Sequence, residues 1–324
     1  MKAVVVDSES HALSWSEVDD PSAAPGGVVM SVRATAVNRA DLLQRAGQYP
    51  VPPGASPYMG LEASGVIYEI GEGVEGWSVG DRVCSLLAGG GYAERVATPA
   101  SLLVRIPDAW SFEQAAAVPE VFYTAYVNLF VEGQLAEGET LLIHGGASGV
   151  GTAGIQMATR AGVRVIAVVG REDKAAFCCT LGADVAINRH EVNFADAVKK
   201  AAPDGVDVIL DIGAADYLSR NLACLRNRGR LVIIALLGGA IGEVDLGEVM
   251  RRRLRIIGSV LRSRSLEEKE AIREGFEDRF WKDLVSGAIQ PVIDRTLTIE
   301  EVESAQEVLT RNENIGKVIM TIPV

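Results

Sequence analysis

The rhythm of apolar and polar positions changes near Pro119, and the change divides the chain. Before it, short apolar runs at Lys2–Val6, Val28–Val37, Ala63–Ile70 and Arg82–Leu87 stand between clusters of Pro and Gly. Runs of that length, punctuated by turn formers, predict an antiparallel, barrel-like β-rich domain. Beyond Pro119 the period lengthens. Strands are expected at Thr140–His144, Arg164–Val169, Val185–Ile187, Val206–Ile212, Arg230–Ala235 and Leu254–Ser259. Helices are expected between them, at Val150–Ala161, Lys174–Leu181, Phe194–Ala202 and Ala215–Leu225. Strand and helix alternating at this spacing predict an α/β fold with a doubly wound parallel sheet. A charged helix, Leu266–Gly287, and the mixed closing segments are expected to rejoin the first domain. Residues 1–118 and 266–324 then form one domain and 119–265 an inserted one, with the active site expected in the cleft between them.

The most informative stretch is TLLIHGGASGVGTAG, Thr140 to Gly154. An apolar strand runs into a glycine-rich turn and then a helix, with a second strand following at βαβ spacing. This is the Rossmann fingerprint for a dinucleotide: bare glycine backbone approaches the pyrophosphate, and the first N–H groups of the helix face the anion. A literal G-x-G-x-x-G falls at Gly149, Gly151 and Gly154. A second register, Gly146, Ser148 and Gly151, starts where the strand ends and is preferred, with Gly149 and Val150 on the adjoining backbone. Ser148 then lies beside the cofactor, caps the helix, or does both.

An acidic residue at the end of the second strand would mark NAD. Val169 stands there, followed by Gly170, Arg171, Glu172, Asp173 and Lys174. Arg171 and Lys174 can pair with a 2′-phosphate, so NADPH is expected over NADH. The two carboxylates in the first turn of the next helix suit its dipole.

Length and charge narrow the picture further. A chain of 324 residues suits two domains. Its net charge of −12 disfavours nucleic acid except through a local basic face, for which Arg251, Arg252, Arg253 and Arg255 are the candidates. Four cysteines show neither metal-ligand nor disulfide spacing, and three histidines are far apart. His144 is expected to be a hydrogen-bonded structural residue. The longest apolar stretch, Leu231–Leu237, is too short for a membrane span, and a cytoplasmic protein is expected.

The segments NRADLLQRAGQYPVPPGAS (Asn38–Ser56), GLEASGVI (Gly60–Ile67), GDRVCSLLAGGGYAE (Gly80–Glu94) and AAAVPEVFYTAY (Ala115–Tyr126) carry a family resemblance. HGGASGVG, LLRSR and NIGKV extend it over the whole chain. The chain resembles the zinc-free quinone oxidoreductases of the medium-chain dehydrogenase/reductase superfamily, close to the p53-inducible quinone oxidoreductase group. The resemblance implies a GroES-like catalytic domain, a Rossmann domain, a nicotinamide cofactor and a homodimer. Zinc-dependent members have a cysteine where this chain has Asn38, a histidine at Leu61, and a cysteine or acid at Glu120. Asn38 and Leu61 cannot supply a thiolate or imidazole. Without a Lewis acid, an electron-poor acceptor is the easier substrate, because it takes hydride at carbon while modest donors meet its oxygen.

Tyr49 and Asn38 are the expected donors, with Ser148 on the cofactor side and Asp41 an orienting carboxylate. Leu236 and Gly238 follow a Rossmann strand and are expected to meet the nicotinamide through backbone groups. Arg262, Arg264, Asn314 and Lys317 fall in family motifs near the cofactor. The leading expectation is an NADPH-dependent reductase of quinones or related conjugated carbonyls. An enoyl or 2-alkenal reductase, and a non-catalytic NADPH- or RNA-binding crystallin-like protein, are the alternatives.

Overall fold

The computed structural model describes residues 1–323, which fall into two units. The first takes Met1–Val121, Arg262–Glu277 and the chain from Pro291 onward; the second takes Phe122–Leu261 and Asp278–Gln290.

In the first unit the chain forms β1 (Lys2–Val6), β2 (Leu13–Glu17), β3 (Gly27–Val37), β4 (Glu62–Ile70), β5 (Arg82–Leu86), β6 (Arg95–Pro99) and β7 (Leu103–Arg105). The second unit holds β8 (Thr140–His144), β9 (Arg164–Val169), β10 (Val185–Asn188), β11 (Val206–Asp211), β12 (Leu225–Ile233) and β13 (Arg255–Gly258). The chain then returns to the first unit as β14 (Ile293–Thr298) and β15 (Lys317–Thr321).

Sheet order in the first unit is β14-β15-β3-β4-β5-β7, with β6 also on β3. All these pairings are antiparallel except β14 with β15, which is parallel. The long strand β3 is the spine. Its Val28, Met30 and Val32 pack with Val4, Met59, Ile67, Val83 and Met320. Further along, Ala34 and Ala36 meet Ala116, Ala117 and Ile319, small residues that let the helix Phe112–Ala116 lie close to the sheet. Each large apolar side chain buried here contributes about 1.5–3 kcal/mol.

Six parallel strands make the second unit, in the order β10-β9-β8-β11-β12-β13. Leu141–Ile143, Val165–Val169 and Val208–Leu210 are buried throughout, as continuous apolar strands must be when both faces of a sheet are covered. Order reverses between β8 and β11, the switch point beside which open α/β sheets bind ligands.

Residues 278–290, expected with the first domain, belong to the second unit. The reason is packing. Phe280 is buried against Phe130 at 5.2 Å and Tyr126 at 6.4 Å between ring centroids. Arg160 also pairs with Asp283, and Gln156 bonds Gln290 in both directions.

Candidate active site

In the second unit, β8 ends at His144, and Gly145–Ala147 form the turn into the helix Gly149–Arg160. Gly149, Gly151 and Gly154, the literal motif, all lie in that helix. Ser148 is its N-cap: Oγ accepts the Gly151 N–H at 3.0 Å, leaving the hydroxyl hydrogen available to donate. A Cβ on Gly151 would lie 2.3 Å from the Gly145 carbonyl oxygen, so only glycine lets helix and turn close up. The N–H groups of Gly149 and Val150 head the helix and have no intrahelical acceptor. A turn without side-chain bulk, free amides and a positive helix end suit the diphosphate of a dinucleotide.

Other expected residues of this unit gather at the same, carboxyl-terminal end of the sheet. Gly170 and Arg171 follow β9, while Leu236 and Gly238 follow β12. Leu237 and Gly238 donate to the carbonyls of Ile212 and Gly213, which prolongs the pairing beyond the strand and leaves Leu236 exposed. Arg171 is engaged: its Nε and Nη2 donate to Asp173 at 2.9 and 2.7 Å. That hydrogen-bonded guanidinium holds Asp173 down at about 2. Lys174 is buried rather than displayed. The sequence reading missed Arg189, just after β10. A Cβ on Gly170 would meet its Nη1 and Nη2 at 3.2 Å, so this exposed guanidinium lies against the end of β9. No local pattern links the two positions; only the sheet order does.

The first unit holds a buried polar cluster. Glu62, on β4 and fully buried, pairs with Lys317 of β15 at 2.8 Å. Its carboxylate also accepts the Asn38 amide at 3.0 Å and the Glu120 backbone N–H at 2.8 Å. Lys317 completes its three bonds on Asn38 Oδ1 at 2.6 Å and the Val37 carbonyl at 3.2 Å. Asp41 accepts from the Asn38 N–H, the Gly60 N–H and the Tyr92 hydroxyl, and burial lifts it to about 6. Gly60 reaches that bond with φ at +99°, where a Cβ would run into Gly91.

Three expected residues have partners of their own here. Asn38 directs its amide hydrogens to Glu62 and Ala36, so it positions the cluster instead of donating to a substrate. Lys317, expected near the cofactor, is fully engaged inside the first unit. Asn314, likewise, donates to the Gly316 carbonyl within the turn before β15.

Glu120 is the residue of this cluster that the sequence understates. Burial, reinforced by the Glu62 carboxylate, pushes it up to about 8 against the pull of Lys317, with Asp41 raising it further and Arg262 opposing. At neutral pH it therefore holds a proton. Nearby, Tyr49 is half-buried, and burial followed by the Glu120 charge raises its hydroxyl, which stays protonated. The Arg262 guanidinium stands 5.1 Å from the centre of the Tyr49 ring, and its Nε donates to the Ala88 carbonyl at 2.8 Å. Arg264 pairs with Glu268 at 3.5 Å.

The remaining candidates are structural. His144 is buried against Phe194 and Tyr217, bonds Asn221 at 2.8 Å, and is pushed by burial down to about 4. Two arginines of the basic run are engaged as well: Arg252 with Glu248 and the Leu222 carbonyl, Arg255 with Gln134.

Residues 24–108 match the family model for the alcohol dehydrogenase GroES-like domain, and 149–277 that for zinc-binding dehydrogenases. The rat (Rattus norvegicus) quinone oxidoreductase is 31% identical over 95% of this chain and 92% of its own. The chain belongs to the quinone oxidoreductase family of the medium-chain dehydrogenase/reductases. Among solved structures, the Escherichia coli quinone oxidoreductase complexed with NADPH is similar at a TM-score of 0.88 and 26% identity, covering 99% of both chains. The enoyl reductase CurK is similar at 0.87 and 26%, again over 99% of both.

One family model is described as zinc-binding, and the residues here do not fit that metal. Asn38 Oδ1 is occupied by the Lys317 ammonium, and Leu61 is a buried hydrocarbon. Among the described residues no group of three or more His, Cys, Asp or Glu is placed to hold a metal ion. No described helix is long and apolar enough to cross a membrane.

Proposed function

We propose that the chain is an NADPH-dependent reductase of quinones and related conjugated carbonyls that works without zinc, as a cytoplasmic homodimer. The observation that carries this reading is the Lys317 ammonium seated between Asn38 and Glu62. A fixed positive charge on the residue that replaces a metal-binding cysteine repels a divalent cation. It leaves the protein to activate its substrate with hydrogen-bond donors alone. Substrates that are already electron-poor suit such a site.

The amides of Gly149 and Val150 would hold the cofactor diphosphate, and Ser148 would donate beside it. Arg189, with Arg171 once released from Asp173, would meet the 2′-phosphate. When bound, NADPH supplies the hydride. The chain must then supply a proton to the acceptor oxygen. Tyr49 offers a protonated hydroxyl at the surface, with water as the other source, and Glu120 retains a proton to replenish it. Asn38, Asp41, Glu62 and Lys317 hold these groups in place.

NADPH oxidation measured against a panel of quinones tests the reading. Turnover by chelator-treated protein is expected, and failure with every quinone refutes it. The structural similarity to an enoyl reductase supports a second reading, reduction of the carbon–carbon bond of enones. An enone turned over with a higher kcat/KM than any quinone would favour it.

A further inference from the structure

Beside the Tyr49 ring, the first unit contains a cavity of about 470 Å³ whose lining carries Arg262, Arg264 and Lys269 but no carboxylate. Arg262 is the sharpest feature. It is only 4% exposed, and both Nη1 and Nη2 lack a hydrogen-bond partner among the described residues. A buried guanidinium with two unsatisfied nitrogens is costly, and a ring 5.1 Å away offsets only part of the loss. Arg264 pairs with Glu268, whereas Lys269 projects from the helix Leu266–Phe276 as a second cation on the lining. The other walls include Leu86, Leu87 and Leu102, which suit a flat hydrocarbon body.

We infer that Arg262 is the anchor for a carboxylate carried by the acceptor, so that the preferred substrates are acidic conjugated carbonyl compounds. The bond from Nε to the Ala88 carbonyl fixes the guanidinium and leaves its outer edge, Nη1 and Nη2, to receive both oxygens of one carboxylate. A volume of about 470 Å³ accommodates a ring with a short acidic side chain. The substrate class rests on the reductase reading above; the anion site does not.

The test compares a naphthoquinone bearing a propionate side chain with its methyl ester, using NADPH, and measures 1-naphthoate binding by calorimetry. Wild type is expected to favour the acid by about 10- to 100-fold in kcat/KM, chiefly through KM, the range of a charged hydrogen-bond pair. Arg262→Gln is expected to bring that ratio close to one and abolish naphthoate binding. Lys269→Gln, on an accessible helix, should lower both several-fold. If Arg262→Gln does not fold, the wild-type ratio and the Lys269→Gln variant decide. Equal use of acid and ester by wild type, or an unchanged ratio in the variants, overturns the proposal while leaving the reductase reading intact. Naphthoate binding that depends on Arg262 and Lys269, with neither quinone reduced, supports the anion site and defeats only the reductase reading.

Discussion

Replacing Lys317 by Met tests the buried cluster most directly. The methionine fills the same channel but returns no charge to Glu62, which is fully buried, and no donor to Asn38 Oδ1 or the Val37 carbonyl. Glu62 keeps two donors, the Asn38 amide and the Glu120 N–H, so its carboxylate is under-compensated but not abandoned. Removing one member of a buried ion pair costs about 3–5 kcal/mol, and each orphaned acceptor accounts for about 1–3 of that. Lys317→Met is therefore expected to lose about 3–5 kcal/mol of stability, whereas Lys317→Met with Glu62→Gln should recover most of it. Denaturant unfolding followed by tryptophan fluorescence reads this out. Trp15, Trp77 and Trp110 lie in the first unit and Trp281 in the second, so the signal is weighted toward the unit that is perturbed. A single variant that loses less than about 1 kcal/mol would be behaving like an exposed pair, and the argument for a fixed internal cation would fail.

The other predictions concern chemistry. Glu120 keeps its proton to about 8 in the fold against an ordinary 4.5, so wild-type kcat/KM should fall as pH rises through 8. Glu120→Gln should lack that limb, and a limb that persists would rule Glu120 out as its source. Between pH 4.5 and 8 the folded chain holds this proton and the unfolded chain does not, so the group's contribution to stability declines as pH rises. Glu120→Gln should therefore gain on wild type in chemical melts across that window. Arg189→Ala should raise KM for NADPH about tenfold, the loss of one charge-assisted hydrogen bond, with little change for NADH; equal weakening of both would remove Arg189 from the 2′-phosphate site. Dialysis against a strong zinc chelator should leave turnover unchanged, and activity that returned only with added zinc would refute the metal-free reading.

Much of this was legible because it was local. The apolar run Leu141–Ile143 followed by glycines announces a strand, a turn and a helix within fifteen residues, and the alternation after Pro119 announces a parallel sheet. What stayed hidden depends on partners far along the chain. Lys317 reads as a cation near a cofactor until β15 is laid against β3 and brings it to Glu62. Arg189 acquires meaning only because β10 pairs with β9. Asn38 reads as a free donor because nothing in its neighbourhood shows that Glu62 will take its amide hydrogen. Residues 278–290 read as continuous with the segments that rejoin the first domain, and only the packing of Phe280 on Phe130 shows that they lie with the second unit.

The pairing of β3 with β15 bears on biosynthesis. The spine of the first sheet leaves the ribosome long before its neighbouring strand exists, with the whole second unit translated in the interval. Until β15 emerges, the Ala34–Val37 end of β3 has an open hydrogen-bonding edge and Glu62 lacks the Lys317 ammonium, a combination that invites mispairing between nascent chains. Ribosome-bound chains halted before Lys317 should therefore depend on holdase chaperones to remain soluble.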